Sequence, residues 1–170
     1  MFDPAKIHFI QSPNRYIGRG GNKISSIVIH SMAGFYKGSI SWFQNPKSQV
    51  SAHYLISKKG EITQMVKDSD RAWHTYLLNG SSIGIEHEDE LKSQSDPHWV
   101  TPEMLEASAN LVAYLMKKYD IPMTHLYKHN DKFVQELARK AGKPQYIHAD
   151  PANWPMDKYK ALIQAKLDGK

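Results

Sequence analysis

Two short apolar runs stand out along the chain. Ile27-Val28-Ile29 follows the turn-prone stretch Gly18-Arg19-Gly20-Gly21-Asn22 and leads into His30-Ser31. Consecutive β-branched residues with no polar face predict a strand in a sheet covered on both sides. Ser82-Ile83-Gly84-Ile85-Glu86 has the same character and ends in a carboxylate. Alternation puts Ile83 and Ile85 on one face and Gly84, Glu86 and Glu88 on the other, with Gly84 admitting the close approach of a neighbour. Between the two runs, Ala52 to Ser57 and Glu61 to Val66 flank Lys58-Lys59-Gly60, a hairpin whose glycine supplies the positive φ of the turn.

The helical period appears later. Thr101-Pro102-Glu103 is a strong start, with a capping hydroxyl, a proline where no donor is needed and an acid at the positive end of the dipole. Leu105, Ala109, Val112, Leu115, Met116 and Tyr119 then form one stripe, predicting a helix packed on the sheet to about Tyr119. A second helix is expected over Lys132 to Ala141, capped by Asn130 or Asp131 and stopped at Gly142. A last one should run from about Met156 to Leu167, packing through Tyr159, Leu162, Ile163 and Leu167. Ser39 to Asn45 reads as a short helix with Ser39 as its cap, stopped before Pro46, and residues 1–23 as an extended leading segment. Met123 to Tyr127 is a short strand or loop leading to His129. Short strands interleaved with helices indicate an α/β fold, a single domain over 1–170 with a central mixed sheet flanked by helices.

Composition narrows this picture. At 170 residues and 41% hydrophobic the chain suits one domain with a sizeable core. With no cysteine there is neither a disulfide framework nor a thiolate metal site, so a metal would have to be held by His, Asp or Glu. The formal net charge of +5 is spread over scattered lysines with no dense basic run or groove-reading motif, so no nucleic-acid partner is expected. No stretch approaches bilayer-spanning length, so no membrane span is expected. The first residues lack the basic-then-apolar pattern of an export signal, so none is expected.

His30 and Glu86 carry the candidate chemistry. An imidazole where a buried strand emerges is held rigidly and can face a cleft, which suits a metal ligand. Taken alone, His30 is better read as a hydrogen-bonded core histidine. A glutamate closing an apolar strand is costly to bury unless it is paired or functional.

His30 does not stand alone. Ser51-Ala52-His53-Tyr54-Leu55-Ile56, Arg71-Ala72-Trp73-His74, Ser82 to Glu86, Lys128-His129-Asn130-Asp131 and His148-Ala149-Asp150-Pro151 follow it. In this order they resemble the type 2 N-acetylmuramoyl-L-alanine amidases, zinc enzymes related to peptidoglycan recognition proteins and phage lysins. The resemblance covers about Ile24 to Trp154. It implies Zn2+ held by His30, His129 and Asp150, with Glu86 as general base and His148 stabilising the oxyanion where many relatives have lysine. Trp73 and His74 would line the groove for the muramoyl sugar or stem peptide, and His53 would be a supporting residue. The implied substrate is peptidoglycan or a muropeptide, cut between the lactyl group of N-acetylmuramic acid and L-alanine. A monomer is expected, and, for a phage lysin, residence in the host cytoplasm before release to the wall.

Two departures leave alternatives open. In many relatives the second histidine and the third ligand are only some eight to ten residues apart, whereas here Lys132 to Tyr146 intervenes. His148 as third ligand with Asp150 orienting it, or His125 in place of His129, therefore stay in view. Some viral members also carry a catalytic tyrosine where this chain has Ala52, which shifts the burden to Glu86. A binding module of the same fold that does not hydrolyse its ligand is the alternative function. Such relatives typically lack the third ligand, and Asp150 is present.

Overall fold

The apolar runs become the middle of one sheet. The computed structural model describes residues 2–170. Its main sheet holds β1 (His8–Phe9), β3 (Ser26–Ser31), β4 (Tyr54–Ile56), β5 (Ile62–Gln64), β7 (Ser82–His87) and β8 (Leu126–Lys128), in the order β1-β5-β4-β7-β3-β8. β3 lies between β7 and β8, parallel to both, and all six of its residues are buried. Only the β4–β5 hairpin is antiparallel, so the sheet is mixed. Gly60 turns that hairpin with φ of +82°, and a Cβ there would meet the Glu103 carbonyl oxygen at 2.9 Å.

Helices cover both faces. Ile27, Ile29, Ile83 and Ile85 meet α2 (Pro102–Tyr119), whose buried stripe includes Leu105, Ala109, Val112 and Leu115. α4 (Met156–Leu167) packs on α2 and adds Tyr159 and Ile163 to the same core, with Trp99 and Trp154 closing its edge. Each Ile, Leu or Val among them contributes on the order of 1.5–3 kcal/mol when removed from water. Thr101 Oγ1 accepts the Met104 N–H at 3.2 Å, and Asp120 ends α2 in the left-handed region at φ +54°. The opposite face carries a smaller cluster of Phe43, Ala52, Leu55 and Met65 beneath α1 (Tyr36–Gln44). α3 (Lys132–Lys140) follows β8 directly. Among the described residues no helix is long and apolar enough to cross a membrane.

Two local expectations are corrected. Ser39 does not cap the short helix: α1 starts at Tyr36, and Ser39 is buried within it. The N–H of Tyr36, its first residue, is met from afar by Glu88 Oε1 at 2.8 Å, and the turn before the helix is held by Asp89 Oδ1, which accepts the Gly34 N–H at 2.9 Å. The leading segment is not simply extended. After a 3-10 turn at Pro4–Lys6 it supplies β1, paired parallel with β5, and β2 (Arg15–Tyr16), paired antiparallel with β6 (Arg71–Ala72). Two-residue strands are too short to show a period, and only a distant partner defines them.

Candidate active site

Alternation in β3 and β7 sorts structural from chemical residues. Ile29 and Ile85 are in register and face α2. The next pair, His30 and Glu86, is also in register and faces the other way, into a groove of about 970 Å³. His129 continues from β8, its N–H donating to the Ile29 carbonyl at 3.0 Å, so it emerges beside His30. Asp150 arrives from beyond α3, and that segment is held in place by Asn130 Nδ2, which donates to the Ala149 carbonyl at 2.8 Å.

The three groups converge. Asp150 Oδ2 lies 3.2 Å from His30 Nδ1, and Oδ1 lies 3.1 Å from His129 Nδ1. One ligand atom from each of the three falls within 4.8 Å of the others. Glu86 Oε1 is 4.0 Å from His30 Nδ1, while its Oε2 is buried without a hydrogen-bond partner. His148 stacks on His129 at 4.6 Å between ring centroids, with its Nδ1 3.9 Å from Asp150 Oδ1 and its side chain half exposed. His125 turns away, its Nδ1 lying 2.9 Å from the Ser25 carbonyl.

Burial sets the charges. It pushes His30 down to about 4, outweighing the nearby charge of Asp150, so the ring is neutral at pH 7. For Asp150 burial alone would raise the pKa, but the His129 and His30 rings that face its two oxygens hold it well below the usual carboxylate range. Glu86 is raised well above the usual range, by burial first and then by the charges of Asp150 and Asp89. Burial and the ring of His129 lower His148. Two imidazoles and one carboxylate form a donor set that suits zinc.

The groove wall is aromatic. Tyr16 packs on Trp73 with centroids 5.2 Å apart, and the Arg71 guanidinium lies 4.9 Å over the Tyr16 ring. Trp73 lines the groove with its Nε1 buried and unpartnered. Tyr76 stacks on Tyr146 at 4.6 Å and 9°, joining the loop after β6 to the segment that carries His148 and Asp150. His74 sits against His30, with both of its ring nitrogens within hydrogen-bond distance of protein atoms.

Several supporting residues escape a reading of the sequence. His87, whose place on the strand suggests only its continuation or rim, is buried in the core with a pKa pushed down by burial to about 3. Its Nδ1–H donates to the His30 carbonyl at 2.9 Å, and its Nε2 accepts from Ser108, which in turn is 2.6 Å from the Tyr159 hydroxyl. His53, which the resemblance does mark as a supporting residue, joins β7 to the turn before β6: its Nδ1 accepts the Gly84 N–H at 3.0 Å, and its Nε2–H donates to the Asp70 carbonyl at 3.0 Å. Of the groove aromatics, Tyr16 ends the two-residue β2, Tyr76 sits in a loop and Tyr146 ends a 3-10 turn at Pro144–Tyr146, segments too short for a period to mark them.

The fold is shared with solved N-acetylmuramoyl-L-alanine amidases. The endolysin N-acetylmuramoyl-L-alanine amidase LysCS from Clostridium intestinale URNW matches with a TM-score of 0.70 and 23% identity, over 96% of this chain and 97% of that one. AmiD from E. coli, solved with anhydro-N-acetylmuramic acid-L-Ala-D-gamma-Glu-L-Lys, matches with a TM-score of 0.57 and 27% identity, over 72% of this chain and 52% of that one. In sequence, N-acetylmuramoyl-L-alanine amidase A of Achromobacter lyticus is 43% identical over 108 residues, 63% of this chain, and the chain spans 59% of that relative's length. Residues 20–152 match the N-acetylmuramoyl-L-alanine amidase family, and the chain belongs to it.

Proposed function

We propose that this protein is a zinc-dependent N-acetylmuramoyl-L-alanine amidase, hydrolysing the amide between the lactyl group of N-acetylmuramic acid and L-alanine in peptidoglycan or a muropeptide. The observation that carries this is the convergence of His30, His129 and Asp150 within 4.8 Å beside a buried carboxylate with one oxygen left without a hydrogen-bond partner. Those three residues would hold the ion. When bound, zinc supplies Lewis acidity, lowering the pKa of a water to roughly 7 and polarising the scissile carbonyl.

The chain's own groups supply the rest. Glu86, made more basic by its burial, takes the proton of the attacking water and returns it to the departing nitrogen of L-alanine. The water oxygen ends on the lactyl carboxyl group, and the proton completes the new amine. His148, neutral and half exposed at the mouth, donates its ring N–H to the oxygen that gains charge. One such donor is worth on the order of 3 kcal/mol. Trp73 and Tyr16 offer apolar faces to the sugar or stem peptide. All of these groups come from one chain, so a monomer suffices. Within the family, AmiD's complex with a muropeptide supports the same class of substrate.

The test is the product. Digestion of purified peptidoglycan should release a new amino group on L-alanine, stop on removal of zinc by a chelator and resume when zinc is restored. New reducing sugar ends, cleavage within the stem peptide, or full activity without metal would contradict the proposal.

A further inference from the structure

His30 has two ring nitrogens, and only one carrying a lone pair can bind a metal ion. The surrounding hydrogen bonds decide which one that is. Ser82 Oγ lies 2.7 Å from the Leu78 carbonyl and 3.0 Å from His74 Nε2. A carbonyl only accepts, so the single hydroxyl proton of Ser82 goes to Leu78, and Ser82 must accept from His74 Nε2–H. A neutral His74 then presents a lone pair at Nδ1, which lies 2.9 Å from His30 Nε2. His30 must therefore donate from Nε2. Its lone pair is left at Nδ1, the nitrogen that faces Asp150 at 3.2 Å and Glu86 at 4.0 Å. Two lone-pair bearers at 3.2 Å, Nδ1 and a carboxylate oxygen, are a contact that a cation between them resolves.

The ring of His74 is placed by its neighbours. A Cβ on Gly84, in the middle of β7, would come within 2.6 Å of His74 Nδ1, so the bare backbone there makes the room that the ring occupies. Asn79 Oδ1 accepts the N–H groups of both His74 and Thr75, at 3.0 and 2.8 Å, and fixes the loop from below.

We propose that Leu78, Ser82 and His74 form a relay that locks the His30 proton on Nε2 and so directs Nδ1 to the metal. His74 is then a positioning residue that acts through His30, not a substrate contact. This inference rests on the metal-binding role of His30 proposed above. Outer partners of metal-bound histidines are typically worth about 10–100-fold in metal affinity.

The experiment is zinc competition against a chromophoric chelator for the wild-type chain, His74→Phe and Ser82→Ala, with ring 15N spectra of His30 in the metal-free wild type and Ser82→Ala. Both variants are expected to bind zinc roughly 10–100-fold more weakly. The His30 proton should sit on Nε2 in the wild type and be shared between the two nitrogens in Ser82→Ala, a change that loss of packing alone does not produce. Ser82→Ala removes one oxygen and leaves the aromatic packing intact, so it reports even if His74→Phe folds poorly. Wild-type zinc binding with equal affinity in both variants overturns the relay and leaves the function above standing, and so does lost activity in His74→Phe at unchanged affinity. A wild-type chain that binds no zinc overturns both.

Discussion

Glu86→Gln should lower amide hydrolysis by at least roughly a hundredfold while leaving zinc content unchanged, the scale expected for loss of general-base help. Glutamine keeps the shape of the side chain but cannot take a proton from water. The carboxylate has the features of such a base: it is largely buried, its pKa is raised by that burial and by the charges of Asp150 and Asp89, and one oxygen has no protein partner. Removing a buried charge of this kind also relieves a desolvation cost, so the variant should unfold at the same temperature as the wild type or higher. Hydrolysis rate, metal analysis and a melting curve on one preparation check all three points. Loss of zinc in this variant would make Glu86 a ligand, and the general base would have to be sought elsewhere in the groove.

Asp150→Ala should abolish both zinc retention and hydrolysis. Its carboxylate is the only anion of the three converging groups, and each oxygen faces one imidazole Nδ1. Without it the site holds two neutral rings, a donor set that competes poorly with a chelator. After dialysis against chelator, zinc should fall from about one ion per chain to near none, taking activity with it. His148→Ala offers the contrast: its ring lies farther out, 3.9 Å from Asp150 Oδ1, and only half covered. That variant should keep its zinc and lose about 10²–10³ in rate, the usual effect of removing one oxyanion donor. The reverse pattern, zinc lost without His148 and kept without Asp150, would exchange their roles.

What the sequence discloses follows from the range of the forces involved. β3, β7, the β4–β5 hairpin, α2 and α4 are written in local runs and stripes, because burial against a continuous core imposes a period on them. The start of α1 is not, since the oxygen that meets its first N–H belongs to Glu88, more than fifty residues away. β1, β2 and β6 are equally silent, being two residues long and defined by partners elsewhere in the chain. In the site, the strand ends mark His30 and Glu86 as unusual, but their shared register arises from parallel pairing across a long crossover. Asp150 stands 21 residues beyond His129 with α3 between them, and no spacing rule brings it back. The return is made by tertiary contacts such as Asn130 to the Ala149 carbonyl. Gly84 shows the boundary well: the sequence marks a close approach, and only the fold shows that the neighbour is the ring of His74.

The metal centre itself is open to anomalous diffraction at the zinc edge, from crystals grown with the metal. The structure predicts one peak, bonded to Nδ1 of His30, Nδ1 of His129 and a carboxylate oxygen of Asp150 at about 2.0–2.2 Å, with Glu86 close by but not bonded. No peak at that point, or an ion held instead by Glu86 or His148, would contradict a zinc centre built from these three residues.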